Sequence, residues 1–85
     1  MPVISRFFGI VVFMNYREHN PPHFHARRGS DEVLIEIATG AMTGTMPLRA
    51  SLMLRDWTDL HRSELLMNWE RAGRHLPLEP IAPLT

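Results

Sequence analysis

Gly29-Ser30, set between two short alternating runs, constrains this chain more than any other feature. Read as a two-residue hairpin turn, it pairs Arg28 with Asp31 and sets the ladder behind it. Arg27 then faces Glu32, Ala26 faces Val33, Phe24 faces Ile35 and His23 faces Glu36. Both apolar pairs fall on one face, and Arg27–Glu32 and His23–Glu36 fall on the other. A slip of one residue would send each side chain to the wrong face, so the register is strongly specified.

The first strand of this hairpin follows His19-Asn20-Pro21-Pro22-His23-Phe24-His25, which holds three of the five histidines. Pro21 and Pro22 hold φ near −65° and lack an N–H, so residues 20–22 are extended or turning rather than helical. Along a strand from His23 to Arg28, side chains alternate. His23, His25 and Arg27 share one face, opposite Phe24 and Ala26. With Phe24 buried, the histidines look outward or into a cleft. Cross-strand neighbours lie about 5 Å apart at Cβ, which brings the Glu36 carboxylate within reach of His23.

The rest of the chain supports a small α+β fold. Val3 to Phe8 are rich in β-branched and aromatic types, Gly9 marks a bend, and Ile10 to Tyr16 read as the first full strand. The run Ile10-Val11-Val12-Phe13 suits a strand covered on both sides. Arg17 to Pro22 form a loop. After Thr39-Gly40, Ala41 to Met46 read as a returning strand, with Met42, Gly44 and Met46 opposite Ile37, Ile35 and Val33. Pro47 opens a helix. Ala50, Met53, Leu54, Trp57 and Leu60 make one apolar stripe, and Leu65, Leu66, Trp69 and Ala72 make a second that is rotated from it. The helix therefore breaks or kinks near Arg62 with Ser63 as a new N-cap. The kink carries His61, Glu64 and Asn68 to the surface. Gly73 ends the helix, and the tail from Leu76 to Leu84 is extended. The expected architecture is an α+β domain spanning residues 1–85: an antiparallel sheet of about four strands packed on a kinked C-terminal helix, or on two short helices.

Composition excludes several classes. The 85 residues carry nine basic and nine acidic side chains, so binding nucleic acid by bulk charge is not expected. No cysteine is present, which removes disulfides and thiolate metal sites. No apolar run approaches the ~20 residues of a membrane span, and the N-terminus shows no secretion signal. A cytoplasmic protein without membrane contact is expected.

Three kinds of chemistry fit the histidine face. His23 and His25, at i and i+2 on a strand, can address one ion, and His19 can supply a third nitrogen. Three protein ligands with an open position is the pattern of a catalytic zinc site, or of another divalent metal, with Glu36 orienting His23 or binding directly. Without metal, a histidine paired with Glu36 is a general base and a second histidine an acid. Arg27 and Arg28 then form a phosphate clamp, which is a ribonuclease constellation. The third possibility is a solvated face whose ion pairs contribute under about 1 kcal/mol each.

The string His19-Asn20-Pro21-Pro22-His23-Phe24-His25-Ala26, with Ser5-Arg6-Phe7-Phe8-Gly9-Ile10, Trp57, Leu60-His61, Glu64-Leu65-Leu66, Asn68-Trp69 and the closing Leu78, Pro80-Ile81 and Pro83-Leu84, resembles the short bacterial proteins of domain-of-unknown-function family 4160. The resemblance supplies no activity. It implies membership of two-gene modules of the toxin–antitoxin kind, hence an antitoxin-like protein partner and action on RNA through the His19, His23 and His25 face. Members of the family often carry an aromatic residue just before the turn glycine, where this chain has Arg28. Association is also expected from the chain itself. Leu34 on the histidine face and the apolar residues of the tail exceed what one helix can cover, so a homodimer or a partner complex should bury them.

Overall fold

The computed structural model describes residues 1–85. Five strands form one antiparallel sheet in chain order: β1 (Val3–Phe7), β2 (Ile10–Phe13), β3 (His23–Arg28), β4 (Asp31–Glu36) and β5 (Met42–Gly44). Two helices follow, α1 (Leu48–Leu60) and α2 (Arg62–Gly73). The β3–β4 ladder has the register read from the turn, from Arg28 opposite Asp31 to His23 opposite Glu36.

The strand count is five rather than about four, because Val3–Phe7 is a full strand. It turns into β2 through Phe8 (φ 48°) and Gly9 (φ 80°), both in the left-handed region that a tight hairpin requires. Phenylalanine is an unusual residue there, which hides the turn from a composition-based reading. β2 stops at Phe13 rather than running to Tyr16.

The β4–β5 pairing is two residues away from the expected one: Gly44 lies opposite Val33 and Met42 opposite Ile35. The cause is Ile37. Its N–H donates to Pro22 O (3.0 Å), extending the β3 side, and its side chain is buried. Residues 37–40 thus make a four-residue connection closed by the Glu36 N–H bond to Ala41 O (2.9 Å). Thr43 consequently flanks Leu34, not Glu36.

α1 buries Ala50, Leu54 and Trp57 against the Phe24 face. Trp57 is the hub, with ring centroids 5.3 Å from Phe7 and 5.8 Å from Phe24. The chain breaks at His61 (φ −120°), which also precedes α2, so the new helix starts at Arg62 with His61 rather than Ser63 in the cap position. The break turns the second apolar stripe toward the sheet, burying Leu65 and Ala72 while leaving Leu60 exposed.

Asn68 lies inside, not on the surface. Its amide donates to Glu79 O (2.9 Å) and accepts from Glu79 N–H (2.9 Å), the two bonds a buried amide needs. This clamp lays the proline-rich tail back over the domain. Trp57 Nε1–H donates to Ala82 O (2.9 Å), Ile81 N–H donates to Ile4 O (2.8 Å), and Ile81 is buried in the core. The tail therefore covers part of the surface that the sequence assigned to a partner.

Candidate functional site

The prolines of the β2–β3 loop bring an unexpected carboxylate to the histidines. After β2 the chain takes a left-handed turn at Arg17 (φ 56°) and passes a cis peptide at Asn20–Pro21 before entering β3. This path folds Glu18 back over the start of β3. His25 Nε2–H donates to Glu18 Oε1 (2.7 Å), and His23 Nε2 stands 3.2 Å from Glu18 Oε2. The ligating atoms of Glu18, His23 and His25 all lie within 4.8 Å of one another.

The residues singled out in the sequence divide accordingly. His23 and His25 belong to the cluster, but His19 is exposed in the loop and outside it. Glu36 is opposite His23 in the ladder, yet its carboxylate accepts from Thr39 Oγ1 (3.2 Å) and serves the β4–β5 turn. Arg27 shares the histidine face, its guanidinium 5.4 Å from the Phe13 ring centre, donating to Met1 Sδ (3.1 Å) and 3.9 Å from Glu32. Arg28 is exposed beside the hairpin turn. Glu18 was missed because the loop path, not strand periodicity, delivers it. One signal existed: Glu18 is the only carboxylate before Asp31, so any acidic partner from the N-terminal third of the chain had to be this residue.

The site is walled rather than open. His23 is only 7% exposed, with Trp69 of α2 leaning over it at 5.1 Å between ring centres and His25 edge-on at 5.3 Å. Phe13 stacks on the far side of His25 at 5.2 Å, with the rings within 12° of parallel. The histidines thus face a cleft between sheet, loop and α2, and the break at His61 is what lets α2 reach it.

The hydrogen bonds define the ring states. Pro21 O can only accept, so His23 Nδ1 carries a hydrogen and donates to it (2.8 Å). In the neutral ring this leaves a lone pair on Nε2, facing the Glu18 carboxylate. That nitrogen is buried and has no hydrogen-bond partner. Burial works against the charge on Glu18, but the hydrogen bond from His25, and His23 when its ring carries a second proton, outweigh it and hold its pKa below the ordinary carboxylate value.

A carboxylate oxygen 3.2 Å from a buried imidazole nitrogen is a contact that a cation at that nitrogen, a proton or a metal ion, resolves. Ligands about 2.0–2.1 Å from a tetrahedral ion stand roughly 3.3 Å apart. The 3.2 Å separation of Glu18 from His23 is near that value, and the 2.7 Å hydrogen bond to His25 would open by roughly 0.6 Å around an ion. The donation from His23 Nδ1 to a backbone carbonyl is the outer bond that fixes the tautomer of metal-ligating histidines. The residues therefore fit a divalent ion, with two nitrogens and one carboxylate.

No helix is long and apolar enough to cross a membrane. No curated protein and no solved structure matches the chain significantly. A family model does match, over residues 9–70, which include Glu18, His23 and His25, and the chain belongs to that family, described as a domain of unknown function (DUF4160).

Proposed function

We propose that this protein is a divalent-metal-binding domain of the zinc type, with the Glu18 carboxylate and the Nε2 atoms of His23 and His25 as its three protein ligands. The observation that carries this reading is His23 Nε2, buried, 3.2 Å from the Glu18 carboxylate and without a hydrogen bond, with Nδ1–H already committed to Pro21 O. A merely structural histidine in so dry a place would have both nitrogens satisfied. Two histidines and one carboxylate leave a coordination position free, and a metal held this way activates water or polarises an oxygen for hydrolysis. The chain's own part is to orient His23 through Pro21 O and to wall the cleft with Phe13 and Trp69. The metal-free acid–base reading uses the His25–Glu18 pair but leaves His23 Nε2 unexplained. Elemental analysis of purified protein, and titration of chelated protein with zinc, test the proposal. One equivalent of bound ion, lost in His25→Ala, is expected; no uptake by the wild type overturns it.

A second reading places the domain in a toxin–antitoxin-like module, cytoplasmic and working through a protein partner or as a homodimer. One feature favours a partner. Leu48 and Leu52, both more than half exposed, border an open groove of about 450 Å³ with Met42 beside the edge strand β5. Arg27, on the face of the cluster, suits contact with RNA phosphate. Sedimentation and co-purification with the neighbouring gene product test the association, and cleavage of RNA by metal-loaded protein tests the activity. A monomer that binds neither partner nor RNA would sink this second reading.

A further inference from the structure

A pocket of about 130 Å³ opens beside the cluster, lined by Asn15, Arg17, Glu18, Asn20, Trp69, Ala72 and Gly73. Glu18 belongs to both, so the pocket and the cleft share a wall. Its polar lining is unspent. The side chains of Asn15, Arg17 and Asn20 make no hydrogen bond or ion pair within the chain, whereas Arg62 and Arg71 are paired with Asp59 and Glu79. Trp69 Nε1–H likewise has no acceptor, while the other indole, Trp57, donates to Ala82 O. Residues carrying one guanidinium, two amides and one indole N–H thus line a small space, and all of these groups can donate.

Resting on the metal reading, we propose that this pocket receives the phosphate group of the ligand on which the metal acts, a phosphomonoester or a terminal phosphate. Donors that no group of the chain occupies suit an oxyanion, and the planar fork of arginine matches phosphate oxygens in pairs. Glu18 alone would repel an anion. With a divalent ion on Glu18, His23 and His25, two positive charges face one carboxylate and the local field reverses. A carboxylate offers about four lone-pair sites, fewer than four donor side chains and an open metal position would use, whereas the three terminal oxygens of a phosphate offer more than five. Volume limits the rest of the ligand. A small open pocket of about 130 Å³ suits a phosphate head, with the rest of the ligand left in solvent. Arg27, the clamp suggested by strand alternation, lies outside this pocket and is drawn onto Phe13 and Met1.

The test is calorimetric titration of zinc-loaded protein with methyl phosphate and, separately, with acetate. Methyl phosphate should bind and acetate should bind at least about tenfold more weakly. Arg17→Gln, an exposed position, should weaken methyl phosphate by about 10–100-fold, the range of a lost charge-assisted contact, without releasing zinc. Asn15→Ala is a second variant with the same expected direction. Equal binding of acetate, or methyl phosphate binding unchanged in both variants, overturns the phosphate pocket. Zinc-loaded protein that ignores methyl phosphate overturns this inference alone. Wild-type protein that takes up no zinc overturns the metal reading and this inference with it.

Discussion

Replacing Glu18 with glutamine separates a ligand from a hydrogen-bonding spacer. Glutamine keeps the shape and an acceptor oxygen for the His25 Nε2–H, now 2.7 Å from Glu18 Oε1, but removes the charge. In chelated protein the change exchanges a charge-assisted hydrogen bond for a neutral one, a difference of about 1 kcal/mol. With zinc the effect is larger. A folded-state ligand at 100 times its Kd stabilises by about 2.7 kcal/mol, and for a domain of this size each kcal/mol moves Tm by about 4–8 °C. The wild type should therefore gain roughly 11–22 °C. Outer-sphere changes alone weaken metal sites about 10–100-fold, so losing the only anionic ligand should cost on the order of 100-fold. At the same zinc concentration Glu18→Gln is then half-saturated and gains about 0.4 kcal/mol, or roughly 2–3 °C. Melting curves by circular dichroism, with zinc and with chelator, measure both shifts. A glutamine variant whose zinc-dependent rise equals that of the wild type would remove Glu18 from the coordination sphere.

Three further outcomes are expected. Asn68→Ala should cost about 1–3 kcal/mol in urea unfolding, because it removes both hydrogen bonds to the Glu79 backbone and frees the tail; a cost under about 0.5 kcal/mol would show that the tail is not clamped there. Gly44→Ala should destabilise strongly, since its φ is +107° and a Cβ would meet Glu32 O at 2.6 Å; wild-type stability would contradict the β4–β5 register. In chelated protein, Glu18 contributes stability that is fully present above the ordinary carboxylate pKa. Its folded value is depressed, so this stability is lost as pH falls through the acidic range below that value, and Glu18→Gln should flatten this limb of the pH–stability curve. Parallel limbs for the two proteins would refute the assignment.

Local alternation and turn chemistry determined much of this protein without tertiary information. The Gly29-Ser30 turn and the period-two pattern place Phe24 opposite Ile35 and His23 opposite Glu36, because the turn fixes the offset and a slip of one residue would bury charge. The rotated apolar stripes likewise require a break near residue 62, and it occurs at His61. The same local logic failed wherever a residue's environment comes from a distant segment. Phe8 occupies a turn position normally given to glycine, which hides the β1–β2 hairpin from a reading of residue types. Ile37 leaves the expected β4–β5 ladder for the core, moving that pairing by two residues. Asn68 is buried because the tail returns to satisfy its amide, a contact eleven residues away along the chain. The cluster shows the same division. Spacing placed His23 and His25 on one face, but only the folded loop decided that their carboxylate is Glu18 rather than Glu36, and that His19 points elsewhere. Strand periodicity specifies which side chains share a face; which groups from other segments meet them depends on the path of the chain in three dimensions.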